Sequence, residues 1–383
     1  MNPTLKKNGR FSGGGAPERK KVSAAHAAVR LLRGLWAALP ASILFACSSG
    51  SENAAADFSR PQPLEASDSI EIRQILSPLG WSISGDKAVV LSDKTDTLFY
   101  VYRLPEFRYL YCFGQKGQGP DDFSFAFLRN LEPATPERFN VEDIQKDTRH
   151  SFRLGEKAAQ KTASETFPTY GCLLAVNDSV FLQFRLRHSD CTGNLAHYFR
   201  TVSSRSEALD SIIPPVYSNA FKMVRFSDGG MGMSGNHYNV PRQAYRDGRL
   251  VLFFGDVRRT DVYDIAPDGR FVLTASMGDR STEEQINAMG LENVQEGESI
   301  VSCCPTDENI YVLTADYRKR QDSDSRDLLR SYIEVYDWDG QPLRKYALGR
   351  AFNCFLVDPL HGKAYCYDNH LDFDRVFVYD IPK

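Results

Sequence analysis

The chain has 383 residues, of which 42% are hydrophobic and 25% are charged, and its formal net charge is −3. This near-neutral balance gives no indication of a nucleic-acid partner. The roughly 340 residues that follow the N-terminal leader are enough for two ordinary domains or for one large repeat architecture.

A short apolar run ends at a small residue and a cysteine near the N-terminus. The run from Leu35 to Ala46 has about half of the roughly 20 residues that a membrane-spanning helix needs, and Arg30 and Arg33 precede it. This layout predicts an export signal rather than a transmembrane helix.

The end of that run, Leu44-Phe45-Ala46-Cys47, resembles the lipobox of bacterial lipoproteins, although Phe45 is bulkier than the usual residue. The sequence therefore predicts a basic leader and signal peptide over residues 1–46, lipid attachment at Cys47 and a flexible tether over residues 47–67. The anchor implies the outer membrane, with the periplasmic and surface faces both open. A plain cleaved signal and a buried apolar segment are the alternatives.

A repeated pattern occupies the rest of the chain, residues 68–383. Each copy has an apolar hairpin, a third strand of the type apolar-Tyr-Asp and a fourth strand after a tight turn. The third strands are centred on Tyr102, Phe152, Tyr198, Tyr263, Tyr336 and Tyr379. The hairpins are clearest at 81–93, 172–184, 244–254, 301–316 and 354–368. Six units of four antiparallel strands predict an all-β fold, the six-bladed β-propeller.

The two ends of the repeat region complement each other. The alternating segment Ser69–Leu76 has no partner in its own unit, and the sixth unit ends one strand short at Lys383. We therefore expect the N-terminal strand to complete the last blade and to remove its open edge.

The segment Phe113–Phe123, which reads FGQKGQGPDDF, resembles the inter-blade segment of NHL-type and TolB-like six-bladed propellers. TolB-like proteins are common as lipoproteins of Bacteroidetes, and the resemblance implies an architecture and a location more than an activity. It extends from about Ser67 to Lys383, with a second unit, about 128–166, that departs from the pattern. The segment lacks the Lys-Ser/Thr of a phosphate-binding loop, so we expect its glycines to adopt positive φ and Phe123 to be buried.

Seven cysteines follow Cys47, and no pair has the CxxC spacing of a zinc site. Most of them lie among apolar residues, which predicts buried thiols. If one disulfide forms, the last hairpin favours Cys354 with Cys366.

The lengths of the links between strands point to one face of the propeller. Every long link joins a second strand to a third strand or one blade to the next, whereas the links from first to second and from third to fourth strands are uniformly short. The long links are 114–128, 185–195, 212–242, 278–299 and 317–329. Long loops on one side of a rigid scaffold are the usual place for binding residues.

Cationic clusters occur where second strands run into these links, at Arg185, Arg187 and His188, at Arg258 and Arg259, and at Tyr317, Arg318, Lys319 and Arg320. The longest link adds His237 and Tyr238. Such residues suit an anionic ligand, and a solvated charged rim is the alternative.

These features favour a lipid-anchored envelope propeller that binds an anionic glycan or an envelope protein, without a nucleic-acid partner. No GxSxG or HExxH motif occurs, so no catalytic residue, metal ligand or cofactor is assigned. A metal-dependent hydrolase with its active site in the channel and a scaffold subunit of a surface complex are the alternative functions.

Overall fold

The computed structural model describes residues 58–74, 76–136, 138–166, 173–188, 195–212, 222–225, 231–234, 241–254, 258–278, 297–319, 326–369 and 371–382. All of them belong to the compact unit Ser48–Lys383. Among these residues, no helix combines the length and the apolar character that crossing a bilayer requires.

The described chain is a series of four-stranded antiparallel sheets. Two short strands come first, β1 (Gln62–Leu64) and β2 (Asp68–Glu71). Blade 1 contains β3 (Pro78–Ser84), β4 (Lys87–Ser92), β5 (Thr97–Arg103) and β6 (Arg108–Gln115). Blade 2 contains β7 (Ala126–Phe127), β8 (Phe139–Asp143), β9 (Thr148–Leu154) and β10 (Ala159–Thr166). Blade 3 contains β11 (Leu173–Ala175), β12 (Val180–His188), β13 (Leu195–Ser203) and β14 (Ala208–Ile212).

A separate hairpin of β15 (Lys222–Arg225) and β16 (Met231–Ser234) precedes the second half of the chain. Blade 4 contains β17 (Arg242–Arg246), β18 (Arg249–Phe254), β19 (Arg259–Ile265) and β20 (Phe271–Gly278). Blade 5 contains β21 (Gly297–Pro305), β22 (Ile310–Lys319), β23 (Arg326–Tyr336) and β24 (Pro342–Leu348). Blade 6 contains β25 (Cys354–Asp358), β26 (Lys363–Tyr367) and β27 (Arg375–Asp380). The prediction of an all-β, six-bladed β-propeller is confirmed.

Burial within a blade decreases from the middle strands to the outer strand. In blade 1, every residue of β4 is buried, whereas most residues of β6 are exposed or half-buried. The buried strands are rich in Val, Leu and aromatic residues because such side chains fit a pleated surface that is covered on both sides. Each blade therefore packs through both of its faces.

The ring closes as the sequence predicts. Strand β2 pairs antiparallel with β27, with Asp68 opposite Val378 and Glu71 opposite Arg375, and becomes the outer strand of blade 6. The paired strand ends earlier than the predicted segment, and the later residues Ile72 and Leu76 are buried between blades 6 and 1.

The body of the propeller begins earlier than the sequence suggests. Strand β1, which lies inside the predicted tether, pairs in parallel with β24 as a fifth strand of blade 5. Just before it, the ring of Phe58 lies 5.4 Å from the ring of Tyr336. These contacts form because Phe58 and Leu64 both pack against apolar clusters between blades. The lipid anchor at Cys47 stays a prediction.

The two faces of the propeller carry different links. We call the face with the links from first to second and from third to fourth strands the turn face, and the opposite one the loop face. The prediction that every turn-face link is short is wrong, because residues 128–138 separate β7 from β8. The predicted long link at 317–329 is shorter than expected, because the pairing of β22 with β23 continues to Lys319 and Arg326.

The glycine-rich segment between blades 1 and 2 is a structural link, as predicted. Gly114 has a φ of +75°, and a side chain there would overlap the ring of Phe99. The expectation of positive φ is wrong for Gly117 and Gly119, where a side chain is excluded instead because it would collide with the Asp122 carboxylate. Phe123 is buried.

The favoured disulfide is wrong. Cys354 lies opposite Tyr367 and Cys366 lies opposite Phe355, so the two cysteines are offset by one residue. Because side chains alternate along a strand, the two thiols point to opposite faces of blade 6. Both are free, as are the other described cysteines, among which Cys112 is exposed.

One buried carboxylate fixes the start of blade 2. Asp143, at the end of β8, accepts hydrogen bonds from the backbone N–H groups of Ser124 and Phe125 at 2.7 and 3.2 Å. It also accepts from the N–H groups of Gln145 and Lys146 at 3.1 and 3.3 Å. The side chain thus holds the end of the glycine-rich segment against the turn that follows β8.

We expect Asp143→Ala to lower the free energy of unfolding by about 2–3 kcal/mol, because four partly buried N–H groups lose their charged acceptor. Urea denaturation at pH 7 measures the change. The exposed Asp93 provides the control, since Asp93→Ala should change stability by no more than about 0.5 kcal/mol. Equal effects of the two substitutions would contradict the role assigned to Asp143.

Candidate functional site

A cavity of about 310 Å³ opens where the central channel reaches the turn face. Its wall is built from the ends of inner strands and the turns that follow them, including Ile83 in blade 1, Tyr245 in blade 4, Cys304 in blade 5 and Val357 in blade 6. Blade 2 contributes the long link between β7 and β8. The cavity is therefore on the face opposite to the one that the loop lengths indicated.

Part of that link, residues 129–136, which we call the crossing segment, extends over the channel. The side-chain amide of Asn130 donates to the carbonyl of Trp81 in blade 1 at 2.8 Å. The backbone N–H of Tyr245 in blade 4 donates to the carbonyl of Leu131 at 2.6 Å. The segment therefore ties blade 2 to two blades on other sides of the ring.

The wall formed by blade 2 is rich in arginine. Arg129 donates to one oxygen of Glu142 at 2.6 Å, and Arg149 donates to the other at 3.2 Å. All three side chains are mostly buried. Arg138 also lines the cavity and is exposed to it. Three guanidinium groups are thus concentrated in one wall of the cavity.

Glu132, on the crossing segment, is an acidic group close to that wall. The protein around it disfavours its charge and raises the pKa of its carboxyl above the usual value. Arg149 and Arg138 oppose that shift, and Asp247 adds to it. The protonation of Glu132 therefore alters the charge of the cavity.

The opposite wall is formed by turns of blades 4 and 5. Arg246 donates to the backbone carbonyl of Asp307, and its guanidinium lies 4.5 Å from the centre of the Trp338 ring. The side chains of Asp247 and Asp307 are exposed at the cavity mouth. Arg246 therefore serves mainly to join the two turns.

The structure describes only some of the side chains that the sequence singled out. Arg185, Arg187 and His188 occupy the end of β12, where the backbone alone is described, and His237 and Tyr238 lie outside the described residues. None of these predicted residues lines the cavity as described.

Tyr317 and Arg318 lie near the loop-face end of β22. The Arg318 side chain is 65% exposed and lies 3.9 Å from Asp327, in keeping with a solvated rim. Tyr317 is paired with Gly297, whose neighbour Glu298 lies 3.8 Å from Arg258. Tyr317 and Arg258 therefore belong to the same end of the interface between blades 4 and 5.

Arg258 is part of a buried ionic network. It donates to Glu334, which has no exposed surface, at 2.7 Å, and Lys345 lies 3.1 Å from the same oxygen. The hydroxyl of Tyr336 donates to the second oxygen of Glu334 at 2.7 Å. Burial disfavours the charge of Arg258, but the carboxylates of Glu334 and Glu298 hold its pKa above the usual value. Arg258 thus neutralises an internal carboxylate.

Among the described residues, no group of three or more His, Cys, Asp or Glu side chains is placed to hold a metal ion.

A comparison with protein-family models agrees with the architecture. The model of a family described as TolB-like 6-blade propeller-like matches residues 248–359, which confirms the resemblance to TolB-like propellers. No curated protein sequence matches the chain. The solved structure of a luciferin-regenerating enzyme aligns over 82% of this chain and 94% of its own, at 13% identity and a TM-score of 0.34. A six-bladed propeller suits a binding or scaffold module.

We expect Glu132→Gln to become more stable, relative to the chain with Glu132, as the pH rises from 4 to 7. Because the pKa of Glu132 is raised on folding, the folded chain binds more protons than the unfolded chain just above the usual Glu pKa, and its stability falls through that range. The glutamine variant does not lose stability in this way, because glutamine does not titrate. Urea denaturation across the pH series measures it, with Glu207→Gln, an exposed site, as the control. A difference that stays constant with pH would contradict this role of Glu132.

We expect Glu334→Gln to lower the free energy of unfolding by about 3–5 kcal/mol, because Arg258 and Lys345 then lose the buried charge that neutralises them. Chemical denaturation at pH 7 measures the loss. Glu207→Gln is again the matched substitution, and a loss no larger than in that variant would show that the network is not needed for stability.

Proposed function

We propose that this TolB-like propeller is an envelope binding module whose turn-face cavity receives the acidic group of a small ligand, namely an acidic sugar of a glycan. The arrangement of Arg129, Glu142 and Arg149 is the observation that carries the proposal. It concentrates guanidinium donors in a largely buried wall, where a ligand carboxylate would accept charge-assisted hydrogen bonds.

The chemistry of the wall suits a carboxylate. Arginine presents donors in a planar fork that matches the two oxygens of a carboxyl group, and Arg138 adds a third guanidinium at the cavity. The neighbouring Glu132 would compete with the ligand for these donors, and its raised pKa weakens that competition in mildly acidic solution.

The size and position of the cavity favour a small ligand over a flat protein surface. A volume of about 310 Å³ lies near the lower end of the range for ligand pockets, roughly 300–1,000 Å³. The crossing segment closes over the channel above it, so the ligand meets groups from blades 1, 2, 4, 5 and 6 at one place.

Export and attachment through Cys47 are part of the same proposal. The lipobox-like sequence at residues 44–47 and the match to the TolB-like family support a location in the bacterial envelope. Incorporation of radiolabelled palmitate into the chain, and its loss in Cys47→Ala, would test the anchor independently of ligand binding.

Calorimetry with D-glucuronate and D-glucose tests the binding function, because these sugars differ only in the carboxylate. We expect glucuronate to bind and glucose to bind at least about tenfold more weakly, a factor that corresponds to about 1.4 kcal/mol. Arg138→Gln should weaken glucuronate binding about tenfold, since it removes one charge-assisted contact.

The exposed Arg318 on the opposite face provides the matched control. Arg318→Gln should leave glucuronate binding unchanged. Equal binding of glucose and glucuronate, no binding of either, or equal effects of the two arginine substitutions would overturn the proposal. Capture of an envelope protein that Arg318→Gln abolishes and Arg138→Gln does not would instead favour the partner-binding alternative.

A further inference from the structure

A second cavity, of about 640 Å³, lies on the turn face between blades 5 and 6. We call it the radial groove. Its apolar lining comes from both blades, namely Tyr311, Val335 and Leu343 of blade 5 and Val357, Pro359 and Ile381 of blade 6. The groove is about twice as large as the turn-face cavity described above, which has about 310 Å³.

The radial groove extends outward from the channel along blade 5. Thr306 follows the first strand of that blade, Tyr311 lies in the second, Val335 in the third and Leu343 in the outer one. Neighbouring strands are about 4.8 Å apart, so a groove that crosses four strands is about 14 Å long. The groove is therefore an elongated site whose inner end lies beside the channel.

The inner end of the groove adjoins the turn-face cavity. Four residues line both of them: Thr306, Asp307, Val357 and Pro359. They form the side of the turn-face cavity that belongs to blades 5 and 6, whereas the arginine-rich wall belongs to blade 2. A ligand that is held by the arginines and fills the cavity would thus reach the entrance of the groove.

The floor of the radial groove is apolar. Val335, Val357 and Ile381 line the groove and are buried, with exposed fractions of 5%, 2% and 8%. Leu343, farther out, is half-buried. Because burial of apolar surface is favourable and needs no particular direction of approach, this floor favours an apolar group of a ligand.

The charged groups of the groove do not suit a second carboxylate. Asp307 and Glu308 are exposed at its rim and would repel an anion. Arg344, which also lines the groove, donates to the carbonyl of Pro382 at 3.1 Å. The carboxylate of a ligand is therefore favoured at the arginine-rich wall of the turn-face cavity, and the groove is left for an uncharged part of the same molecule.

We propose that the radial groove is a subsite for an apolar group of the ligand, so that the preferred ligand is an acidic sugar linked to an apolar aglycone. This inference rests on the proposed function for the position of the sugar, and it adds the chemical class of the group that is attached to the sugar. The shared lining of the two cavities is the observation that joins the two groups in one ligand.

Calorimetry of the full chain with methyl β-D-glucuronide and hexyl β-D-glucuronide tests the subsite. The two compounds share the acidic sugar and differ by five methylene groups, and burial of one methylene raises an affinity roughly fourfold. We expect the hexyl compound to bind at least about thirtyfold more tightly, with a more negative heat-capacity change of binding. A difference of about twofold or less would overturn the inference.

A pair of leucine variants tests the location of the alkyl chain. Leu343→Gln places a polar group of similar size in the groove. Leu273, which is 50% exposed on the outer strand of blade 4, provides the matched control. We expect Leu343→Gln to lower the ratio of the hexyl to the methyl affinity at least about fivefold, and Leu273→Gln to leave that ratio as it is. Equal effects of the two variants would show that the chain does not occupy the groove, and would overturn the inference.

Hexyl β-D-glucoside, which lacks the carboxylate, separates a failure of this inference from a failure of the proposed function. We expect it to bind at least about tenfold more weakly than hexyl β-D-glucuronide. Equal binding of the two hexyl compounds would overturn the proposed function, and the inference with it. Equal binding of the methyl and hexyl glucuronides, together with weaker binding of glucose than of glucuronate, would overturn the inference alone.

Discussion

Every blade of this propeller is a sheet whose two faces both need a neighbour, and the ring is the arrangement that gives each face one. The fully buried β4 and the middle strands of other blades show the consequence, because their side chains point alternately into two different clusters. Closure by β2 is therefore a condition for the whole fold. Without it, blade 6 would lack its outer strand.

The crossing segment depends on that closed ring. It leaves blade 2 and forms hydrogen bonds with blades 1 and 4. It can therefore hold this position only when these blades are arranged around one channel. In return it covers the channel and brings Glu132 close to Arg138 and Arg149. The candidate site is thus a product of tertiary arrangement, built from residues that are scattered along the sequence and carry no shared motif.

The sequence allowed the blades to be predicted because their signals are local. Alternating apolar residues and tight turns mark each hairpin, and Ser69–Leu76 stands out as a strand without a partner. The site was missed because its contacts are not local. Residues 129–136 lie in the unit that departs from the repeat, and nothing in their composition shows that they reach blade 4. Arg258 was singled out for its charge, but its partner Glu334 lies 76 positions away. The cysteine pair was misjudged by one residue of register, which is enough to reverse the face of a side chain.

Strand β1 also has a mechanical consequence. A force applied to the N-terminal side of the described chain meets Phe58 and β1 before it meets β2, since that is their order along the polypeptide. The parallel pairing of β1 with β24 and the contact of Phe58 with Tyr336 would have to fail first. Strand β2, which completes the ring, therefore bears no load while β1 stays paired. The propeller can be held by its N-terminal segment without being pulled open at blade 6.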